Sequence, residues 1–509
     1  MTTEKNVEPI DSSFFGHPKG LSTLFFTEMW ERFSYYGMRA LLILFMTASI
    51  QEGGLFITVV SASAIYGLYT GAVYLMGLPG GFIADRLLGC QKTVWYGGLI
   101  IFAGHVVLAI PSNDTFFIGL VLVVLGTGLL KPNIGAMVGQ LYSKDDKRRD
   151  AGYTLYYMGI NIGSFLAYLS IGPLKEEGLW HMAFGLAAVG MAAGLIQYRK
   201  TIYKLKGAGA EPTVVSSPKM IKISWSIITA FLVGLALLVG AIMTGSVVID
   251  PVVIAEYAAV LITAIFILYF AGIFFLGNLS GNEKRSLSAL FLVCVASACF
   301  WAGFEQAGSS LNLFAQDYTN RFIGSFEIPT IWFQLSNSAF IIMLSPFIAA
   351  LWINLAKKMI TPSYGIKCAL GLIIMALGFL VMFFAAQYAA SGMKVAPYWL
   401  VATYFLHTVG ELCLSPVALS AVSKLSPRRF AGQMMGVFVL TYSIGNVVAG
   451  LLAGNLDPNN LSQMPELFLH ICLITIGVGV VVAIFTLKTS KWEKLADGPE
   501  PVAGEKALA

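Results

Sequence analysis

Three ionisable side chains and a tyrosine lie close together in the first long apolar segment of this 509-residue chain. They are Glu28, Glu31, Arg32 and Tyr35, spaced i, i+3, i+4 and i+7, so in a helix they share one face. An ionisable residue at the centre of a bilayer costs roughly 2.5–3.5 kcal/mol on insertion scales. We therefore expect this face to line a cavity or to pair with other helices, away from lipid.

Lys131, beside Pro132, and Glu411 also interrupt apolar segments. Burial and a nearby arginine act on the pKa of a carboxyl group in opposite directions. Glu28 and Glu31 are therefore candidate proton carriers. An alternative stays open, in which the charged groups only hold helices together through buried pairs.

The composition is that of a polytopic membrane protein. The chain is 57% hydrophobic and 12% charged, with a mean hydropathy of +0.76, whereas soluble domains carry about 25% charged residues. The net charge of +5 comes from basic residues scattered over loops, which does not indicate nucleic-acid binding. The sequence contains no metal-ligand spacing, phosphate loop or GxSxG motif, so we expect neither an enzyme nor a cofactor.

Apolar segments long enough to cross a bilayer predict fourteen membrane spans. An even number puts both termini on one side. The loops on that side hold most of the lysines and arginines, which predicts cytoplasmic termini. The predicted spans are 22–50, 56–84, 92–111, 115–142, 149–171, 179–198, 222–245, 252–277, 286–315, 330–356, 365–387, 396–424, 430–454 and 464–488.

The loops also predict a domain organisation. A polar segment rich in Gly, Ser, Pro and Lys follows the first six spans, and the next two spans carry almost no charge. Two six-helix halves flanking two inserted lipid-facing helices explain this pattern. The predicted parts are a cytoplasmic N-terminal segment (1–21), an N-terminal half (22–198), a linker (199–221), the inserted pair (222–277), a C-terminal half (278–490) and a flexible cytoplasmic tail (491–509).

Four motifs resemble those of one transporter family. Gly81 to Gly89, with Asp85 and Arg86, is similar to the G-x-x-x-D-R-x-x-G loop of the major facilitator superfamily. The stretch from Glu28 to Gly37 resembles the E-x-x-E-R-F-x-Y-Y-G signature of proton-dependent oligopeptide transporters, the POT family. The stretches 153–165 and 300–310 resemble that family's fifth and seventh core helices. The resemblance runs from about residue 15 to 490 and implies a major facilitator fold of twelve core helices, with two inserted helices as in bacterial members.

The resemblance also implies a substrate site. A promiscuous peptide site should bind both charged termini and leave adaptable side-chain pockets. By resemblance, Arg32 and Lys131 bind the substrate carboxylate and Glu411 binds the amino terminus. Asn161 and Asn337 would hydrogen-bond the peptide backbone. The other implied binding residues are Tyr35, Tyr36, Tyr74, Trp301, Glu305, Phe438 and Ser443. Phe438 stands where many members carry Trp, and His407 is expected to be a packed residue.

Alternating access needs gates, and the charged residues predict three. Arg39 lies about 10 Å beyond Arg32 along a helix, and Glu305 is its predicted partner in an outer gate. Lys131 and Glu411 are predicted to close the cytoplasmic side. The loop pair of Asp85 and Arg86 is predicted to act as a latch. For the outer pair, a static ion pair remains an alternative.

The sequence thus predicts a proton-coupled symporter that imports di- and tripeptides across a bacterial inner membrane. Its predicted partners are peptides, protons and the bilayer. A symporter of another small anion or zwitterion on the same fold is the alternative, although a simple anion would not need an amine-binding Glu411. Paired charges with candidate gates at different depths favour alternating access over a channel.

Overall fold

A computed structural model of the chain describes residues 11–143, 146, 148–454 and 463–496, which are mainly α-helical. Helical segments occupy all fourteen predicted spans, so the predicted architecture is confirmed within the described residues. Eleven of them are long and apolar enough to cross a membrane by composition alone. The first helix is not among these because it carries Glu28, Glu31, Arg32 and Arg39.

The helices have the following bounds. The first eight are α1 (Gly20–Thr47), α2 (Val59–Leu75), α3 (Gly77–Ile83), α4 (Cys90–Leu108), α5 (Asn113–Gln140), α6 (Arg149–Glu176), α7 (Trp180–Thr201) and α8 (Pro218–Met243). The remainder are α9 (Pro251–Leu276), α10 (Gly281–Phe304), α11 (Ser310–Asp317), α12 (Leu335–Lys357), α13 (Tyr364–Ala390), α14 (Tyr398–Leu425), α15 (Ala431–Ala453) and α16 (Met464–Ala496). Strands β1 (Phe322–Ile323) and β2 (Phe326–Glu327) form a short antiparallel hairpin.

The predicted span 286–315 is broken rather than continuous. Helix α10 ends at Phe304, a 3₁₀ turn covers Glu305–Gly308, and α11 begins at Ser310. Side chains hydrogen-bond the backbone at the break: the Gln306 amide donates to the Ala302 carbonyl at 3.4 Å, and the Ser309 hydroxyl donates to the Glu305 carbonyl at 3.4 Å. The Gln306 amide also donates to the Ala449 carbonyl of α15 at 3.0 Å. Such internal partners are what make irregular backbone tolerable at membrane depth.

Chain contacts divide the protein into two compact units. The first comprises Met1–Thr58, Ala72–Asp250 and Ile328–Ala339. In it, α1 packs on α6 and α7, and α4 packs on α5. Glycine allows the closest approach of α1 and α6, because a Cβ on Gly163 would collide with the Met29 carbonyl and lie 3.2 Å from the Arg32 Cβ.

In the same unit, the segment 328–339 packs against α6. The Glu176 carboxylate accepts hydrogen bonds from the backbone N–H of Thr330 at 2.7 Å and from its hydroxyl at 2.9 Å. The Ser164 and Ser338 hydroxyls lie 2.7 Å apart, and the Trp332 indole donates to the Leu169 carbonyl at 3.3 Å. These bonds join α6 to residues 330–338 along about three turns of α6.

The linker after α7 also packs on this unit. The Gln91 N–H donates to the Gly209 carbonyl at 2.8 Å, and the Gln91 side chain donates to Ala208 at 2.9 Å. Asp85 accepts a hydrogen bond from the Thr213 hydroxyl at 2.9 Å. The segment 208–213 is therefore held against the start of α4 and the end of α3.

Helix α8 exposes nearly all of its side chains, and Ser224 is its one buried residue. Its apolar surface therefore fits the prediction of a lipid-facing inserted helix.

The second unit comprises Val59–Gly71, Pro251–Glu327 and Phe340–Ala509. Its described helices pack with α13 against α14 and α16, and with α10 against α15 and α16. Small residues again allow close contact: a Cβ on Gly371 would lie 2.7 Å from the Gly410 carbonyl. Gly67 meets Gly450 in the same way, so this part of α2 packs on α15.

We expect Gly163→Ala to lower the melting temperature in detergent, because the added methyl group must push α6 away from α1. Overpacking of this kind costs typically about 1–3 kcal/mol. Gly185→Ala in α7 is the matched control, since its Cβ would make one ordinary contact at 3.7 Å. Equal melting temperatures for the two variants would contradict the close-packing role of Gly163.

Candidate functional site

A buried ion cluster occupies the inward face of α1. The Arg32 Nε lies 3.2 Å from Glu28 Oε1 and also contacts the carboxylate of Glu31. All three side chains are at most 1% exposed. We call Glu28, Glu31 and Arg32 the Arg32 cluster. The spacing-based prediction of one shared face agrees with this geometry.

Tyrosine rings surround the cations of α1. The Arg32 guanidinium carbon lies 4.8 Å from the ring centroid of Tyr35 and 5.8 Å from that of Tyr36. The Arg39 guanidinium carbon lies 5.4 Å from the ring centroid of the same Tyr36. Both arginines can therefore gain cation–π stabilisation from a ring between them.

Lys131 joins this region from α5. Its ammonium lies 4.1 Å from the ring centroid of Tyr74, and its charge acts on the Glu31 carboxylate. Two carboxylates and two cations thus share one part of the first unit. With all four ionised, their charges balance.

Two tyrosines near the cluster were not identified from the sequence. Tyr156 on α6 interacts electrostatically with Glu28, Glu31 and Arg32. Tyr168 meets Tyr36 edge-on, with centroids 6.2 Å apart. Tyr156 lies in the fifth-helix motif, five residues before Asn161, so the motif contained a signal, but the partner on α1 could not be read from it.

The two predicted asparagines lie on adjoining elements of the first unit. Asn161 is buried on α6, where its amide donates to the Tyr157 carbonyl at 3.1 Å. Asn337 is half-buried on α12. The hydrogen bond between Ser164 and Ser338 brings these two helix turns together.

A second group of predicted residues lies in the second unit, around a tyrosine that the sequence did not single out. Tyr442 stacks at a tilt on Trp301, with centroids 4.8 Å apart, and meets Phe438 edge-on at 5.4 Å. The Glu411 carboxylate, which is 6% exposed, acts electrostatically on Tyr442. We call Trp301, Glu411, Phe438 and Tyr442 the Tyr442 group.

Two other predicted residues are held by packing. The Ser443 hydroxyl is fully buried and donates to the Gly71 carbonyl at 2.8 Å, so its role in substrate binding stays a prediction. His407 is buried with its ring centroid 4.7 Å from that of Phe379. This agrees with the expectation of a packed histidine.

The predicted gating pairs each have one member in either unit. Arg39 and Lys131 belong to the first unit, and Glu305 and Glu411 belong to the second. Both gates therefore stay predictions.

The predicted loop latch has a different environment from a simple ion pair. Asp85 is exposed and binds Thr213 of the linker, while the Arg86 guanidinium lies 5.6 Å from the Phe82 ring centroid. The latch role stays a prediction, with the linker as a further participant.

The Arg32 cluster retains hydrogen-bonding capacity. Arg32 Nη2, Glu28 Oε2 and Glu31 Oε1 are buried and have no hydrogen-bond partner among the described residues. Buried polar atoms are normally paired. Such atoms suit a site that takes up an anionic group and a proton.

Within the described part of the chain, no group of three or more His, Cys, Asp or Glu side chains is arranged to hold a metal ion.

We expect Arg32→Ala to destabilise the protein strongly, because it leaves two carboxylates buried without their cation. Breaking one side of a buried pair costs about 3–5 kcal/mol. The triple variant Glu28→Gln, Glu31→Gln and Arg32→Gln removes all three charges and should recover most of the loss. Thermal unfolding in detergent measures both effects. A triple variant less stable than Arg32→Ala would contradict the pairing of these charges.

Comparisons with known proteins identify relatives that match nearly the whole chain. A peptide transporter named YePEPT from Yersinia enterocolitica is 43% identical over 499 residues, covering 96% of this chain and 97% of that protein. A di-/tripeptide transporter of Lactococcus lactis subsp. cremoris is 34% identical, with coverages of 96% and 98%. A crystal structure of a peptide transporter, POT, in complex with sulfate superposes with a TM-score of 0.87 at 38% identity, covering 94% of this chain and 96% of that one.

A family profile also matches most of the chain. Residues 91–466 match the profile of PTR2, the POT family. The matched region excludes the Arg32 cluster, so the profile and the α1 motif are separate indications. The chain belongs to the POT family.

Proposed function

We propose that this chain is a symporter that imports di- and tripeptides with protons by alternating access. Membership of the POT family and the names of its relatives, which describe peptide and di-/tripeptide transporters, support this proposal. The observation that carries it is the Arg32 cluster, a buried set of charges with unused hydrogen-bonding atoms on a membrane helix.

The peptide carboxylate would bind Arg32 and Lys131. Arg32 has a guanidinium nitrogen without a partner among the described residues, and guanidinium binds carboxylates through paired N–H donors. The Lys131 ammonium lies 4.1 Å from the ring centroid of Tyr74, and its positive charge attracts a carboxylate in this low-dielectric region. Tyr35 and Tyr36 flank this position.

The peptide amino group would bind Glu411. This carboxylate neighbours the aromatic rings of the Tyr442 group. Aromatic walls contact many side-chain types through apolar area and ring faces. They are therefore suited to a transporter that reads the two termini and tolerates varied residues between them.

Charge balance gives a physical reason for proton coupling. Glu28, Glu31, Arg32 and Lys131 sum to zero when all are ionised. A peptide carboxylate adds one negative charge to this low-dielectric region, and protonation of Glu28 or Glu31 removes one. Protonation also frees Arg32 from one of its two carboxylate partners. Substrate and proton would therefore stabilise each other's binding.

The setting of this activity follows from the fold and the family. The chain is a polytopic membrane protein of a transporter family. We infer the inner membrane of a bacterium, with both termini in the cytoplasm, because the basic residues concentrate in the loops on that side. The coupling ion would be the proton, and no other cofactor is proposed.

We expect Glu28→Gln and Glu31→Gln each to abolish dipeptide accumulation driven by a proton gradient in proteoliposomes. A glutamine cannot take up and release the proton, but it keeps the size of the side chain and one acceptor oxygen. Exchange of labelled for unlabelled dipeptide, which needs no net proton movement, should remain measurable.

The exposed Glu177→Gln serves as the control for these variants and should accumulate dipeptide like the unmodified protein. Undiminished gradient-driven uptake in both Glu28→Gln and Glu31→Gln would refute the proposed coupling. Loss of exchange together with uptake would instead indicate damage to binding or folding.

We expect Glu411→Gln to weaken binding of a dipeptide with a free amino terminus by ~10- to 100-fold, because a hydrogen bond to a charged group is lost. Binding of the N-acetylated dipeptide should change little. Competition against a labelled peptide measures both affinities. The exposed Glu466→Gln of the same unit is the control. A similar loss for both peptides would count against an amine-binding role of Glu411.

A further inference from the structure

An open-sided apolar groove runs along the outer surface of the second unit, between α9, α10 and α16. Its volume is about 570 Å³, and its walls include Phe270, Phe274, Phe275, Phe291 and Phe485. Phe275 is 74% exposed and Phe485 51% exposed, so these rings form a surface that faces the membrane rather than a packed core. We call this surface the α9–α16 groove.

The groove continues towards the middle of the membrane. A second cavity of about 380 Å³ shares Ile267 and Phe291 with it and extends along α10 to Gly303. From Leu287 to Gly303 the two cavities follow α10 for about 24 Å at 1.5 Å per residue. One leaflet of the hydrocarbon core is about 15 Å thick. The two adjoining cavities together thus follow α10 over a length that suits an acyl chain.

One end of the groove is polar and basic. Lys488 lines it, and the Lys284 ammonium lies 5.3 Å from the ring centroid of Phe274 in its wall. The nearby carboxylate, Glu283, is occupied in capping α10, where it accepts from the Ser280 N–H at 2.8 Å. Among the side chains that the structure describes, these two ammonium groups therefore make this end of the groove basic.

A buried hydroxyl in the same place has no partner. Thr489 lines the groove and is 5% exposed, and its Oγ1 makes no hydrogen bond within the part of the chain that the structure describes. The neighbouring Ser288 hydroxyl donates to the Lys284 carbonyl at 2.9 Å. A buried hydroxyl without a partner is costly. An acceptor oxygen from a bound molecule would satisfy it.

We propose that the α9–α16 groove binds one anionic glycerophospholipid. An acyl chain occupies the apolar channel, and the phosphate lies between Lys284 and Lys488. A phosphate or ester oxygen accepts a hydrogen bond from Thr489. This end of the groove lies on the side predicted to be cytoplasmic, where basic pockets between membrane helices suit anionic head groups. An apolar partner helix would leave the Thr489 hydroxyl unsatisfied.

The test is native mass spectrometry of the full-length protein released from detergent containing equal amounts of phosphatidylglycerol and phosphatidylcholine. These lipids carry the same acyl chains, so the comparison reports the head group. The unmodified protein is expected to retain one phosphatidylglycerol at collision energies that strip phosphatidylcholine. The readout does not depend on transport.

The double variant Lys284→Gln and Lys488→Gln should lose this preference, with phosphatidylglycerol bound ~30-fold more weakly if each lysine contributes as basic residues do near anionic membranes. Lys219→Gln with Lys222→Gln is the matched control, because it removes two exposed lysines at the end of α8, outside the groove. This control should keep the unmodified preference. Thr489→Val should weaken both lipids.

Ala271→Phe tests the channel itself, since it fills the groove wall without changing charge. It should lower the retention of both lipids and leave no preference to measure. Thermal unfolding confirms that each variant is folded. Equal retention of the two lipids by the unmodified protein would overturn the proposal. So would an unchanged preference in the Lys284→Gln and Lys488→Gln variant, or a lost preference in the α8 control.

Discussion

The need to keep charge paired inside a membrane governs this structure. Arg32 lies between two carboxylates on one helix face, and tyrosine rings cover the guanidinium. Neutralising one carboxylate changes the electrostatic energy of the other carboxylate and of Arg32, because little water is present to screen these buried charges. A single proton or a single carboxylate ligand therefore has a large effect here, and a symporter needs a group of this kind.

The same face depends on how closely two helices approach. Gly163 lets the α6 backbone contact α1 beside Met29 and Arg32, so the position of the arginine is set by a residue without a side chain. In the second unit, Gly371 and Gly410 bring α13 and α14 together in the same manner. Small residues thus allow the close helix packing that holds the charged and aromatic groups, and such packing is important because the hydrophobic effect does not drive helices together in lipid.

Local sequence patterns predicted much of this protein. Hydropathy predicted fourteen spans that helical segments occupy, and the spacing of Glu28, Glu31 and Arg32 predicted their shared face. Contacts between distant parts of the chain were not predictable in this way. Tyr156 and Tyr442 are ordinary aromatic residues in sequence, and only the packing of neighbouring helices brings them to charged groups. At the helix break of Glu305–Gly308, the Gln306 side chain likewise binds a carbonyl far along the chain, that of Ala449.

Part of the linker after α7 is anchored to the first unit by hydrogen bonds, so fewer of its residues are free of contacts than its polar sequence suggests. Residues 208–213 are fastened to Gln91 and Asp85, and Gly209 has a positive φ of 73° in a position where a Cβ would meet Met137 and Cys90. Val214 is hydrogen-bonded to the Asp85 carbonyl, whereas its neighbour Val215 is fully exposed. A fluorescent protein or an affinity tag fused into the chain at Val215 would therefore interrupt no anchored contact, whereas one placed a few residues earlier would pull α4 away from its support.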